Sequence, residues 1–193
     1  KQITSREILN AKGDPTIETT VILTDGAVGI ASVPSGTSVG KYEALDLRDN
    51  DQKRYRGNGV LNAITNIDKL ITPILVGTEG SDQRQIDKKM ITIDGTENKQ
   101  KLGANATLSV SIAVAKAAAR SAVLPLFLYL REYVKKDELP PKIPTPCFNI
   151  INGGKHGEGN VNFQEFLVIP ATSKNYSESL SLGSNVYFSL KKI

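Results

Sequence analysis

Ile17-Glu18-Thr19-Thr20-Val21-Ile22-Leu23, then Thr24-Asp25-Gly26, then Ala27-Val28-Gly29-Ile30-Ala31-Ser32-Val33: two runs rich in β-branched residues with a turn between them. Val, Ile and Thr are stiff at χ1 and pack well on a pleated surface, while Asp-Gly turns the backbone tightly, so this stretch predicts a hairpin. Lys12-Gly13-Asp14-Pro15 is an earlier turn, and the residues before it supply a further strand. Residues 1 to about 33 therefore predict a three-stranded meander.

Beyond the strands, Pro34 to Lys41 reads as a Gly/Ser loop, and from Tyr42 the pattern becomes helical with an interruption near Arg56-Gly57-Asn58-Gly59. Val60, Ile64, Ile67 and Ile71 recur at three- and four-residue spacing, an amphipathic stripe. A helix over Ser81 to Ile91 opens on a Ser-Asp cap. Ala104 to Ala122 is Ala-rich with few bulky residues, so it should pack closely against a neighbour. Pro125 opens a further short helix. Four prolines between Pro140 and Pro146 mark an extended linker. After it, 147–151 reads as a buried strand, 152–161 as a polar Gly-rich loop, 163–169 as a second strand and 173–193 as a helix.

The chain has 193 residues, 39% hydrophobic and 23% charged, which is ordinary globular composition. No apolar run approaches the roughly 20 residues of a membrane span, and the first residues have no apolar signal core. Cys147 is the only cysteine, which excludes an internal disulfide and suits a reducing cytosol. The net charge of +4 is scattered, without the basic face and interleaved aromatics of a nucleic-acid binder. The chain opens on Lys1, has Met90 as its sole methionine and ends at Ile193 inside a helical pattern, so it is expected to be part of a longer polypeptide.

Three segments are candidates for chemistry. In Pro34-Ser35-Gly36-Thr37-Ser38-Val39-Gly40, two glycines and small hydroxyl residues leave backbone groups free to approach a ligand or metal, Gly36 and Thr37 among them; a plain surface loop has the same composition. In Asn152-Gly153-Gly154-Lys155-His156-Gly157, the chain's only histidine sits among glycines at the end of a strand, where imidazole can donate to an anionic substrate; a lone histidine can also be incidental. In Phe163-Gln164-Glu165-Phe166, polar residues open an apolar strand, and successive strand residues face opposite ways; a strand-end carboxylate facing solvent has the same pattern.

Taken together these segments resemble the enolase family. The family's Ser-Gly-Ala-Ser-Thr-Gly-x-x-Glu-Ala-Leu-Glu-x-Arg-Asp corresponds to Ser35 through Asp49, its Asn-Lys-x-x-Leu-Gly-Ala-Asn-Ala to Asn98 through Ala106, its Pro-x-Phe-Asn-x-Ile-Asn-Gly-Gly-x-His to Pro146 through His156, and its Gln-Glu-Phe to Gln164-Glu165-Phe166. The resemblance implies an α+β N-terminal domain over 1–139, a three-stranded meander plus helices, followed over 140–193 by a linker and the first part of an αβ (TIM-like) barrel, truncated here. It implies a cytoplasmic, Mg2+-dependent lyase of glycolysis, phosphopyruvate hydratase, that interconverts 2-phosphoglycerate and phosphoenolpyruvate as a homo-oligomer, dimer or larger. By the same resemblance Glu165 and His156 are catalytic, His156, Gln164, Glu165, Gly36 and Thr37 bind substrate, and Ser38 ligates Mg2+. The general-base Lys, the principal acid and the Mg2+-binding carboxylates would lie beyond Ile193, so the fragment alone is expected to be inactive. With two barrel strands lacking neighbours, Phe148, Ile150, Phe166 and Val168 should be uncovered. TIM-like barrels carry their sites at the C-terminal ends of strands, so the loops after both strands are expected near the site.

Two positions depart from the family pattern. Lys12 stands where the family has Arg, near its dimer contact, and lacks the planar bidentate fork; Val39 replaces the usual Thr after Ser38. Two other readings are an enolase-superfamily enzyme acting on sugar acids, which the Ser38 and His156 segments oppose, and a non-catalytic remnant that binds partners. Acidic barrel-strand ends in a downstream continuation would separate the enzyme from the remnant.

Overall fold

Three strands, β1 (Gln2–Leu9), β2 (Pro15–Ile22) and β3 (Val28–Ser32), pair antiparallel in chain order, so the meander forms as the residue pattern predicts. Register runs from Gln2 opposite Ile22 to Leu9 opposite Pro15, and from Glu18 opposite Ser32 to Ile22 opposite Val28. Gly26 takes φ +91° in the second turn, where Leu23 N donates to Ala27 O at 2.9 Å and the Asp25 side chain accepts from Ala27 N. In the first turn the Asn10 side chain accepts from the N–H groups of Lys12 and Asp14. The computed structural model describes residues 1–36, 40–134, 140–154, 161–170 and 173–193. It divides into two units, Lys1–Lys136 and Asp137–Ile193.

In the first unit, α1 (Leu61–Asn66) runs through a π-helical turn at Ile67–Ile71 into α2 (Thr72–Leu75); α3 (Gln83–Asp94), α4 (Ala104–Ser121) and α5 (Leu126–Arg131) follow. α4 lies across β2 and β3, burying Ile17, Thr19, Val21 and Ala31. The Ala-rich helix does pack closely. A Cβ built at Gly29 would sit 2.0 Å from Ala113 O and 2.4 Å from Ala117 N, so the helix backbone rests directly on the strand. Within this contact a chain of hydroxyls is satisfied: Ser5 and Thr19 share a 2.8 Å bond, Thr19 donates to Ser109 Oγ at 2.8 Å, and Ser109 donates to Ala106 O at 2.9 Å.

The apolar stripe of α1 and α2 faces the core, with Val60, Ala63, Ile67, Ile71 and Leu75 buried and Ile64 packed against them. Ala63, Ile67, Ile71 and Leu75 recur every four residues, which overshoots an α-helical turn of about 3.6 residues by roughly 40° at each step. The π turn absorbs this drift and keeps the stripe on one side. Pro73, which cannot donate to the preceding turn, lies just beyond it in α2.

The helical expectation from Tyr42 fails over 42–54, which has no helix. That backbone is claimed by partners distant in sequence. Leu45 N donates to Asn98 O and Leu45 O accepts from Ala104 N. Leu47 N donates to Asn105 Oδ1 at 3.0 Å while Asn105 Nδ2 donates to Leu47 O at 3.1 Å. Asp49 then accepts from Leu61 N and Asn62 N at 3.0 and 2.8 Å, capping α1 from outside, and Glu7 accepts from Val60 N at 2.9 Å. Arg54 bridges both carboxylates, at 2.5 Å to Glu7 and 3.2 Å to Asp49.

The cap expected at Ser81-Asp82 is present. Asp82 accepts from Gln85 N at 3.0 Å, and α3 runs three residues past Ile91 to close on Gly95 at φ +66°. Its last residue, Asp94, is buried and joins α3 to the approach of α4, accepting from Thr96 N at 3.0 Å and Leu102 N at 2.8 Å, and from the Thr96 hydroxyl. Burial pushes the Asp94 carboxyl up, but these hydrogen bonds and the charge of Lys99 outweigh it and hold it below the ordinary aspartate range.

In the second unit β4 (Phe148–Asn152) and β5 (Glu165–Val168) form an antiparallel pair with an irregularity between Asn149 and Ile151, and α6 (Tyr176–Leu190) follows. Asn175 and Glu178 make a reciprocal capping box, at 2.9 and 3.0 Å, that starts the helix. The buried strand expected at 147–151 is not buried: Asn149 and Ile151 are exposed and Phe148 and Ile150 half-buried. Of the side chains expected to be uncovered, Phe166 is, whereas Phe148, Ile150 and Val168 are partly covered. α6 presents Gly183 to the Phe148 ring, where a Cβ would come within 2.6 Å.

Two outcomes follow from the packing of the first unit. Gly29→Ala should lower stability by at least about 2 kcal/mol, roughly 4–8 °C in Tm, because the new methyl meets helix backbone that cannot rotate away; a thermal melt checks it. Asp94 has a lowered folded pKa, so its stabilisation is present above the unfolded aspartate value and fades as pH falls through the folded one. The Tm gap between wild type and Asp94→Asn should be wide at pH 7 and shrink below about pH 4; a gap independent of pH would contradict the charge argument.

Candidate functional site

The end of β4 and the start of β5 lie side by side because the two strands run antiparallel, with Asn152 opposite Glu165. Beyond Asn152 the pairing tightens into a neck. Gly153 N donates to Gln164 O and Gly154 N to Val161 O, each at 2.9 Å. Both glycines are required there. A Cβ on Gly153 would stand 2.1 Å from Phe163 O, and Gly154 adopts φ +59°. Asn149 Nδ2 donates to Asn152 Oδ1 at 2.6 Å, and the rings of Phe163 and Phe166 meet edge to face at 6.1 Å, fixing the two sides of the neck.

This neck brings Gln164 and Glu165 beside Gly153 and Gly154, and both side chains are exposed. The segment that leaves at Gly154 and returns at Val161 contains His156, which lies outside the described residues. Of the two loops expected near one site, only the one after β4 is at this end of the pair; the segment following β5 leaves from the other end, again because the strands are antiparallel.

In the first unit, Thr37 and Ser38 also lie outside the described residues, while Gly36 and Gly40, which flank 37–39, are described and exposed. Gly36 borders a hollow of about 460 Å³ that is also lined by Glu43, Asp46 and Arg48. Arg48 is half-buried and donates in four directions: Nη1 to Pro15 O at 2.7 Å and Asn58 O at 3.0 Å, Nη2 to Ser35 Oγ at 3.0 Å and Asp46 Oδ2 at 3.1 Å. On the other flank, Gly40 N donates to Glu43 Oε2 at 2.8 Å and Glu43 N donates to Gly40 O at 3.2 Å. Sequence reasoning assigned no role to Glu43 or Arg48. Both stand inside the motif from Ser35 to Asp49, so the signal was available in the spacing of a carboxylate and a guanidinium after a Gly/Ser loop.

Among the described residues no three of His, Cys, Asp or Glu gather as a metal-binding group. No helix among them is long and apolar enough to cross a membrane.

Comparison with known families bears on both units. Residues 1–130 match the family model described as enolase, N-terminal domain, and residues 141–193 match that described as enolase, C-terminal TIM barrel domain. The three-stranded sheet with its helices, followed by two strands and a helix, is the architecture these matches require of an N-terminal domain leading into the start of a barrel. The chain belongs to the enolase family of lyases.

Proposed function

We propose that this chain serves an enolase proper, which reversibly dehydrates 2-phosphoglycerate to phosphoenolpyruvate in glycolysis. In that reaction the C–H bond beside the carboxylate breaks, its electrons form the new double bond, and the hydroxyl on the neighbouring carbon departs as water. His156 contacts the substrate, through its phosphate, Gln164 holds the bound substrate and Glu165 assists the leaving hydroxyl. The same reading gives Gly36 and Thr37 substrate-binding roles. No residue of this chain is assigned the abstraction of the proton.

The observation that carries this reading is the neck at Gly153 and Gly154. It holds both ends of the segment containing His156 next to Gln164 and Glu165, so a donor and a carboxylate can serve one small anionic substrate. Mg2+ is the proposed cofactor, with the Ser38 hydroxyl and carbonyl as oxygen ligands suited to a hard ion. When bound, such an ion supplies Lewis-acid stabilisation of negative charge on the substrate carboxylate. One serine is not a donor set, and the described residues add no cluster to it, so these residues alone would not hold the ion. The same reading takes 1–139 as the N-terminal domain and 140–193 as linker and barrel start, and goes with a cytoplasmic homo-oligomer.

The test is phosphoenolpyruvate formation by the complete enzyme carrying this chain, followed by absorbance. Glu165→Gln and His156→Ala should each lower kcat by about 10²–10³, as when one preorganised electrostatic group is deleted. Tm should stay within about 2 °C, since Glu165 is exposed. Wild-type turnover in both variants would remove the pair from the reaction.

A further inference from the structure

A strand at the edge of a sheet offers a row of unpaired N–H and C=O groups to any other chain. β3 is such a strand: it is last in the order β1-β2-β3, and among the described residues no strand pairs with its outer side. Ile17 O accepts from Val33 N, and Ala27 O accepts from Leu23 N. Bonded and unbonded pairs alternate along an antiparallel ladder. Gly29 and Ala31 therefore bond β2, while Val28, Ile30 and Ser32 turn their backbone groups outward. Two of those outward carbonyls are taken from α4. Lys116 Nζ donates to Ile30 O at 3.0 Å, and Arg120 Nη1 donates to Val28 O. At the next residue of the helix the Ser121 hydroxyl donates to Asp25, in the turn that leads into β3.

The spacing of the two elements fits. Four residues of helix rise about 6 Å and two residues of strand about 7 Å, so side chains one turn apart on α4 meet alternate carbonyls of β3. Ala113 and Ala117 rest on Gly29, which leaves Lys116 and Arg120 on the flank of the helix that overhangs the edge. Lys116 is half-buried and Arg120 exposed. Hydrogen bonds this open to water add little to stability, yet they set two positive charges where a neighbouring strand would have to lie.

We propose that Lys116 and Arg120 close the outer edge of β3 against strand addition by a second copy of this chain. The edge otherwise suits its own twin. Antiparallel pairing about Ile30 sets Ile30 opposite Ile30 and Val28 opposite Ser32, and each Ile30 exchanges both backbone bonds with the other. Ile30 is exposed and β-branched, the kind of residue that cross-strand pairing rewards. In the wild-type chain the same pairing needs both carbonyls released, and it brings the Lys116 and Arg120 of two copies, four cations, to one seam.

The experiment compares the complete enzyme carrying this chain with its Lys116→Met, Arg120→Met double variant, by light scattering across a concentration series and by hydrogen exchange of the Ile30 amide. Wild type should hold one mass throughout. The double variant should form larger species as concentration rises through the micromolar range, with Tm at low concentration nearly unchanged and Ile30 exchange slowed severalfold as the species form. Adding Ile30→Lys puts a charge on the seam and should return the wild-type mass. Ile30→Pro removes the outward N–H and leaves the bonds to β2 intact, so it should do the same. Wild-type mass and unchanged Ile30 exchange in the double variant would overturn the proposal. Larger species that persist through both Ile30 substitutions would overturn it too, since the copies would then be meeting elsewhere. Should the double variant fail to fold, Lys116→Met and Arg120→Met taken singly carry the same comparisons.

Discussion

Backbone meets backbone where β3 passes under α4 at Gly29, and the geometry of the whole first unit depends on that approach. No side chain separates the strand from Ala113 and Ala117, so the helix axis sits lower on the sheet than any larger residue at position 29 would allow. The small residues of α4 are what such an approach demands, since interiors pack at crystal-like density and tolerate neither a gap nor an added methyl. The buried polar atoms follow the same constraint. Thr19 and Ser109 face each other across the contact and satisfy one another, which avoids the cost of stranding two hydroxyls in an apolar core.

With α4 held there, the start of the helix determines what comes next. Asn105, in its first turn and buried, bonds both backbone groups of Leu47 and pins the irregular segment against the helix. Arg48 is the next residue, and from that position it reaches Pro15, Asn58 and Ser35. Asp49 follows and caps α1. A contact between a glycine and two alanines is thus connected, through one buried Asn side chain, to the backbone that leads into the segment carrying Ser38.

The meander, the stripe of α1 and α2, the cap of α3 and the extent of α4 were legible because each is written in local chemistry: β-branched runs, apolar period, an Asp at an N-cap and a lack of bulk. Tyr42 to Arg54 misled because its backbone partners are Asn98, Ala104 and Asn105, residues that no local pattern connects to it. The π turn escaped for a different reason, since the four-residue spacing of Ala63, Ile67, Ile71 and Leu75 reads as helix without disclosing that the helix must widen to keep it. In the second unit, apolar 147–151 promised burial, but a strand is buried only by what lies on it, and among the described residues only the side near Gly183 is covered. Gln164 and Glu165 were readable as candidates, while their meeting with Gly153 and Gly154 required the antiparallel pairing.

The way α1 is capped says something about which part of the helix holds on its own. α1 has no cap from its own flanking side chains, and even with the π turn and α2 that continue it to Leu75 the run is short enough to be marginal in water by itself, where helices need about 12–15 residues. Its exposed N–H groups are satisfied by Asp49 and Glu7, carboxylates distant in the chain and held together by Arg54. The first turn of α1 therefore depends for its hydrogen bonds on β1 and on the segment through Asp49, while Ala63, Ile67 and Ile71 anchor the rest of the helix in the core. Loss of either carboxylate should fray that first turn and leave the buried stripe in place, so its amides should exchange faster than those of the residues that follow.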